Sequence, residues 1–184
     1  CILALAERLE LLISIFSQGK RPSGSSDPYA LRRAGNGILL ILWSKDWLFN
    51  LDEFLHKAVH HWAVILQDIK RSPEDLINDL SEFFRQRIIS LLDDKGIDQD
   101  LILSIAGETI PSERLLSDLA DIRLRADLLS EMRVNGELSK VHAVVTRASR
   151  LAEKSKLPSN TYSAFGVVDI ELFEKESESS MINV

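Results

Sequence analysis

The sequence has a single cysteine, Cys1, among 184 residues, so no disulfide framework can form within it and a reducing, cytoplasmic location is predicted. Glycine and proline number only eight and five, and no stretch is rich in valine, threonine and aromatic residues, which argues against a strand-rich fold. The longest apolar run, 37–43, is too short to span a bilayer. Leucine, isoleucine, alanine, glutamate and arginine dominate instead, and they predict an all-α fold.

The sequence also lacks the motifs that carry catalysis in common enzyme classes. It has no P-loop, no glycine-rich dinucleotide fingerprint, no nucleophile elbow and no Cys/His pair. One helix carries Glu53, His56, His60 and His61, and two histidines four residues apart can share a metal. No cysteine or second His/Asp cluster supplies further ligands. We therefore predict no catalytic residue and no metal site, and expect surface histidines or an interface with a partner subunit.

The net charge of −6 argues against binding nucleic acid through overall charge. Any contact with RNA would need a local basic patch on an acidic background.

The stretch 20–42 runs from a Ser/Gly turn into an apolar helix. Asp27 is the expected N-cap and Pro28 the first helical residue, with Ser26 as the competing cap. Gly35-Asn36-Gly37 interrupts the apolar pattern, and each interior glycine costs about 1 kcal/mol relative to alanine. This cost predicts that another group packs against the backbone there, or that the helix bends.

Six further helices bring the predicted total to about seven. Ser72 and Pro73 mark one strong start, Gly96 the corresponding end, and Asn135-Gly136 a turn. From about residue 171 the chain is acidic and serine-rich, and we expect a mobile tail. The further helices are predicted over 1–18, 51–69, 73–95, 98–106, 111–134 and 137–156.

Two consecutive segments resemble a known family. The stretch 22–38, P-S-G-S-S-D-P-Y-A-L-R-R-A-G-N-G-I, resembles the P-T-G-S-x-D-P-[FY]-A-L-R-R-A-x-x-G-[IV] signature of the β subunit of bacterial glycyl-tRNA synthetase. The preceding stretch 4–16, A-L-A-E-R-L-E-L-L-I-S-I-F, is similar to that family's A-D-K-L-D-T-L-V-G-I-F segment. Beyond Leu48 the resemblance is one of pattern. It implies that the chain is a C-terminal fragment of a longer subunit.

The resemblance also implies a domain organisation. Residues 1–50 would be the C-terminal end of a body region that resembles the HD phosphohydrolase fold, together with a connector helix. Residues 51–184 would be a helical bundle like an anticodon-binding domain, truncated at its C terminus. The family usually has an aspartate at the position of Glu7, and no upstream His-Asp pair is present, so a remnant hydrolase site is the least favoured reading.

The whole enzyme of this family joins glycine to its tRNA with ATP and Mg²⁺. A separate α subunit activates glycine in a heterotetramer, and the β subunit binds the tRNA. The resemblance therefore implies that this fragment holds tRNA(Gly), near the anticodon, and has no cofactor of its own. The alternative is a helical scaffold that mainly docks the α subunit without direct RNA contact.

The helix 137–156 carries the main candidates for RNA contact on one of its two opposed faces. A helix face of one positive sign suits an RNA backbone, and the family has a basic K-R-V-x-N-I-L-type helix at about this place. A solvated helix face is the alternative. The apolar face carries Leu138, Val141, Val145, Ala148 and Ala152. The basic face, which contains no acidic residue, carries Lys140, Arg147, Arg150 and Lys154.

Two arginine pairs follow as candidates. Arg85 and Arg87 lie in F-F-R-Q-R, which is similar to the family's F-x-x-D-R-L, with Arg87 matching the arginine. The adjacent phenylalanines, 83 and 84, could stack on bases if exposed, but their helical register predicts the core. Arg32 and Arg33 are expected either to contact tRNA or to pair with acids at a domain joint.

Overall fold

A computed structural model of the chain describes residues 1–45, 47–65 and 71–154. Within these ranges the chain forms eight α-helices and no strand beyond one isolated bridge, between Ser23 and Ser26, so the all-α prediction is confirmed there. Predictions for residues 66–69, for 155–156 and for the tail from about 171 lie outside the described residues. The helices are α1 (Ile2–Ser17), α2 (Leu31–Lys45), α3 (Leu51–Ile65), α4 (Pro73–Asp94), α5 (Gln99–Ala106), α6 (Ser112–Ser117), α7 (Leu119–Val134) and α8 (Glu137–Lys154).

The chain divides into two compact units, residues 1–136 and 137–184. In the first unit α4 is central and packs against α1, α2, α3, α5 and α6. The boundary predicted between residues 50 and 51 lies inside this unit. The HD-like and anticodon-binding-like assignments of its two parts remain predictions. In the second unit α8 is the described element, and none of its residues is buried.

The central helix α4 begins and ends as its sequence predicts. The Ser72 hydroxyl accepts a hydrogen bond from the Asp75 backbone N–H at 3.1 Å, and Pro73 occupies the first helical position. Gly96, just beyond the end of the helix, has a φ of +79°, a left-handed conformation that glycine adopts without strain. Phe83 and Phe84 are buried, which confirms their predicted place in the core.

The start of α2 differs from the prediction. The helix begins at Leu31 and not at Pro28, because residues 27–30 form a turn in which Ala30 has a φ of +54°. Asp27 still caps the helix across this turn. Its two carboxylate oxygens accept hydrogen bonds from the backbone N–H groups of Leu31, at 2.8 Å, and Arg32, at 3.0 Å.

The helix predicted over 111–134 is in fact two helices, α6 and α7. The break lies at Asp118, whose backbone is extended and whose carboxylate accepts a hydrogen bond from the Asp121 N–H at 3.0 Å. The prediction was wrong because an aspartate side chain can replace helical backbone bonding and start a new helix. The break leaves the Leu119 carbonyl to accept a 2.7 Å bond from the Trp43 indole N–H.

The two glycines of α2 are sites of close packing, as was predicted from the helix-propensity cost of placing glycine inside a helix. A Cβ at Gly35 would lie 2.7 Å from a ring carbon of Phe83 and 3.2 Å from Cγ of Arg87, both on α4. A Cβ at Gly37 would lie 2.8 Å from Nε of Arg8 on α1. Bare backbone on two different sides of α2 therefore lets α4 approach at Gly35 and α1 approach at Gly37.

Candidate nucleic-acid interface

The four predicted basic residues of α8 are all exposed. No ion pair joins Lys140, Arg147, Arg150 or Lys154 to another of the described residues. Each residue of an α-helix advances the chain by about 1.5 Å, so the four positions extend over roughly 20 Å of the helix. A single helix therefore presents a row of positive charge along one side that no other described residue neutralises by an ion pair.

Three of these four residues also line a shallow depression on α8. Thr146 and His142 lie one and two turns before Arg150 and were missed by the sequence reasoning, although their four-residue spacing is visible in the sequence. They add hydrogen-bonding groups beside the positive charge. The depression, of about 380 Å³, is lined by His142, Ala143, Thr146, Arg147, Arg150, Leu151 and Lys154.

Arg85, predicted to contact tRNA, is only 4% exposed, so its side chain does not face a ligand in this structure. Its guanidinium bridges the end of α5 to the start of α6, and it also pairs with Glu82 of its own helix at 3.2 Å. The helical periodicity of α4 could have indicated this burial, because it places Arg85 on the same face as the buried residues Ile88 and Leu92. The four acceptors of Arg85 are the carbonyls of Ala106 at 3.1 Å, Gly107 at 2.7 Å and Ile110 at 2.7 Å, and the Ser112 hydroxyl at 2.9 Å.

Arg87 lies on the same helix in a different environment. It is half-buried, and its guanidinium carbon is 5.9 Å from the centroid of the Phe83 ring. Its Nε is buried and has no hydrogen-bond partner among the described residues. Burial lowers the pKa of Arg87, and the nearby charge of Arg32 lowers that pKa further. Arg87 therefore remains a candidate for anion contact.

The two adjacent arginines of α2 differ in exposure. Arg32 is half-buried and donates a 2.7 Å hydrogen bond to the Gly24 carbonyl, whereas Arg33 is exposed. The structure thus brings Arg32 close to Arg87, a pairing that the sequence did not predict because the two residues lie far apart in the chain.

The histidines of α3 are held by local contacts. Nε2 of His56 lies 3.9 Å from a carboxylate oxygen of Asp52, and Nδ1 of His60 lies 2.8 Å from the His56 carbonyl. Glu53 pairs instead with Lys57, whose hydrogen bond lowers the pKa of that carboxyl. The part of the chain that the structure describes contains no group of three or more ligating side chains placed to hold a metal ion.

The fold and this interface define an all-helical protein with an exposed basic helix, a surface suited to nucleic-acid backbones. None of the helices in the described ranges has the length and apolar character that a membrane span requires. A family model described as glycyl-tRNA synthetase beta subunit matches residues 1–107, more than half of the chain. The chain belongs to this family, and the resemblance of its 4–38 region is thereby confirmed.

Individual relatives extend the similarity over nearly the whole chain. The glycine–tRNA ligase beta subunit of Acaryochloris marina is 43% identical over 179 residues, which cover 96% of this chain and 25% of the relative. That of Trichodesmium erythraeum is 38% identical over 185 residues, covering 99% of this chain and 25% of the relative. The chain therefore spans about a quarter of the length of the relatives it matches.

Proposed function

We propose that this chain is the tRNA-binding part of a glycine–tRNA ligase beta subunit. It holds tRNA(Gly), near the anticodon, while the α subunit joins glycine to the tRNA in a cytoplasmic heterotetramer that uses ATP and Mg²⁺. The observation that carries the proposal is the row of four exposed basic residues along α8, none of which forms an ion pair with another described residue. Membership of the family supports the choice of tRNA as the ligand.

The basic face works by neutralising backbone phosphates. Each guanidinium or ammonium that meets a phosphate releases condensed counterions, so binding is favoured most at low salt. A row about 20 Å long can meet several phosphates of one strand. Such contacts provide affinity and register, whereas base identity needs contacts with base edges. Of the predicted set, Lys140, Arg147, Arg150 and Lys154 carry this role, and Arg85 is removed from it.

The test compares two charge reversals of equal size in the 184-residue chain. Arg147→Glu/Arg150→Glu reverses the α8 face, and the control Arg114→Glu/Arg125→Glu reverses two exposed arginines of α6 and α7. Binding of tRNA(Gly) and of an unrelated tRNA is measured at two salt concentrations. We expect the α8 variant to lose tRNA affinity by more than tenfold while the control keeps most of it. Equal, weak binding by both variants and by the unaltered chain would exclude the proposal.

A second candidate function is docking of the α subunit, with the basic face merely solvated. One observation favours it, because the apolar residues Val141 and Val145 of α8 are about half exposed, at 48% and 55%. Under this alternative, Val141→Glu/Val145→Glu would abolish association with the α subunit and Arg147→Glu/Arg150→Glu would leave tRNA affinity unchanged.

A further inference from the structure

The contact between α2 and α4 brings two arginines together. Phe83 and Arg87, one turn apart on α4, both meet the bare backbone at Gly35 of α2. Arg32 lies one turn before Gly35 on α2, and residues three apart share a helix face. The missing side chain at Gly35 therefore brings Arg87 against the turn of α2 that carries Arg32, and the charge of Arg32 acts on Arg87.

The positive charge of this pair is poorly compensated within the described residues. Asp27 and Asp94 are the acidic groups that act on Arg87 and raise its pKa, but burial and Arg32 outweigh them. Both carboxylate oxygens of Asp27 already accept backbone N–H groups at the start of α2. No hydrogen bond joins Asp94 to Arg87 in the part of the chain that is described. The neighbouring, exposed Arg33 adds a third positive charge.

Several other arginines of the first unit are ion-paired within the protein. Among the described residues, neither Arg32 nor Arg87 has such a partner. The ion-paired arginines are Arg21 and Arg71 with Asp79, Arg85 with Glu82, Arg125 with Asp121, and Arg133 with Asp98 and Asp100.

We propose that Arg32 and Arg87 form an oxyanion site that receives a backbone phosphate of RNA. A carboxylate presents two oxygens in one plane, which suits a single guanidinium. A tetrahedral phosphate directs its oxygens in different directions and can accept from two guanidiniums that come from different helices. Nε of Arg87 is buried and has no partner among the described residues, so the terminal guanidinium nitrogens, which form no hydrogen bond with another described residue, are the donors that a ligand can reach. The RNA source rests on the proposed function, but the site itself contains no residue of α8.

The first experiment titrates the 184-residue chain with inorganic phosphate and, at equal ionic strength, with acetate. The readout is the NMR signal of the arginine Nε–H groups, with the Arg87 signal assigned from Arg87→Lys. We expect phosphate to shift the Arg87 signal saturably and acetate to shift it far less. The phosphate response should disappear in Arg32→Gln. No saturable shift, or an equal shift with acetate, would overturn the proposal and indicate a carboxylate ligand from a protein.

The second experiment measures tRNA affinity as a function of salt for Arg32→Gln, for Arg87→Lys and for the control Arg125→Gln. Arg87→Lys keeps the charge and loses the planar donor fork, so it separates geometry from net charge. We expect Arg32→Gln to weaken binding about five- to tenfold and to lower the salt slope by about one phosphate contact. We expect Arg87→Lys to weaken binding with little change in slope, and Arg125→Gln to behave as the unaltered chain.

The two proposals fail in different ways. If α8 reversal abolishes tRNA binding while Arg32→Gln and Arg87→Lys bind normally, the oxyanion site is not an RNA site and the function stands. If Arg32→Gln weakens binding and α8 reversal does not, the site is supported and the assignment to α8 fails. Circular dichroism melts of every variant exclude unfolding as the cause.

Discussion

Arginine side chains in this chain have different roles according to what surrounds them. Arg85 is buried and donates to carbonyls at the C-terminal end of α5, where helix carbonyls have no partner within the helix. Arg87, two residues later, keeps its Nε without a partner among the described residues. Arg85 therefore holds two helices together, whereas Arg87 remains available for a ligand.

Replacing Arg85 should destabilise the fold. Arg85→Leu would leave buried carbonyls near the α5–α6 connection without a donor, at a cost of about 2–4 kcal/mol in the free energy of unfolding. Urea denaturation measures the loss. The control Gln86→Leu changes the exposed neighbouring residue and should stay within about 0.5 kcal/mol of the unaltered chain. A stability of Arg85→Leu equal to that of the control would contradict the bridging role.

The two glycines of α2 should respond oppositely to alanine. A methyl group at Gly35 meets the ring of buried Phe83, so we expect Gly35→Ala to destabilise by about 1–3 kcal/mol. At Gly37 the obstacle is the flexible end of Arg8, which can move aside, and alanine gains up to about 1 kcal/mol of helix propensity. Thermal unfolding of Gly35→Ala and Gly37→Ala tests this. Equal melting temperatures would show that Phe83 moves away from the new methyl group as easily as Arg8 does.

Several hydrogen bonds and ion pairs between helices of the first unit come from side chains at helix ends. The Trp43 indole near the end of α2 donates to Leu119 at the start of α7, and Arg123 of α7 donates back to the Trp43 carbonyl at 2.6 Å. Arg133, near the end of α7, pairs with Asp98 and Asp100 at the start of α5. Side chains at helix ends therefore align α7 with two neighbours.

The link between α5 and α7 should depend on pH. The hydrogen bonds from Arg133 lower the pKa of Asp100 from 3.8 to about 2. A carboxyl with a lowered pKa in the folded state stabilises the fold above its unfolded pKa, and this contribution declines as the pH falls through the folded pKa. The stability difference between the unaltered chain and Asp100→Asn should therefore shrink from pH 5 to pH 2. Urea unfolding across that range measures it, and a constant difference would show that Arg133 does not act on the charge of Asp100.

At the scale of the whole molecule, an acidic chain carries local positive charge in two places, the α8 face and the Arg32–Arg87 pair. Net charge alone would repel RNA, so binding must come from these local fields, which act within about a Debye length, roughly 10 Å at moderate salt. The chain spans about a quarter of the length of the relatives it matches.

The salt dependence of tRNA binding should report the number of phosphate contacts. Four contacts on α8 predict a log–log slope of about −3 to −4, and Arg147→Gln/Arg150→Gln should reduce its magnitude by about two contacts. Fluorescence anisotropy with labelled tRNA at four or more salt concentrations gives the slope. A slope near zero for the unaltered chain would mean that the basic face does not meet the RNA backbone.

Local sequence was enough to predict the all-α class, the start and end of α4, the core position of Phe83 and Phe84, and the family. Helix caps, terminating glycines and the 3.6-residue period act within one or two turns, so they can be recognised in the sequence without knowing which helix packs against the segment. The sequence-based helix bounds were wrong where a single residue could adopt either a helical or a non-helical conformation. Ala30 has a left-handed conformation, so α2 begins after it. Asp118 accepts a hydrogen bond from a backbone N–H and separates α6 from α7.

Only the tertiary structure decided which arginines remain available for a ligand. A helix wheel shows which residues share a face, but burial depends on the helix that packs there. Arg85 is covered by the connection between α5 and α6, whereas Arg87 lies against Gly35 with Arg32 beside it. Local periodicity determined the helices and the family signature, and long-range packing determined the electrostatics, because charge compensation acts between atoms that are near in space and far apart in the chain.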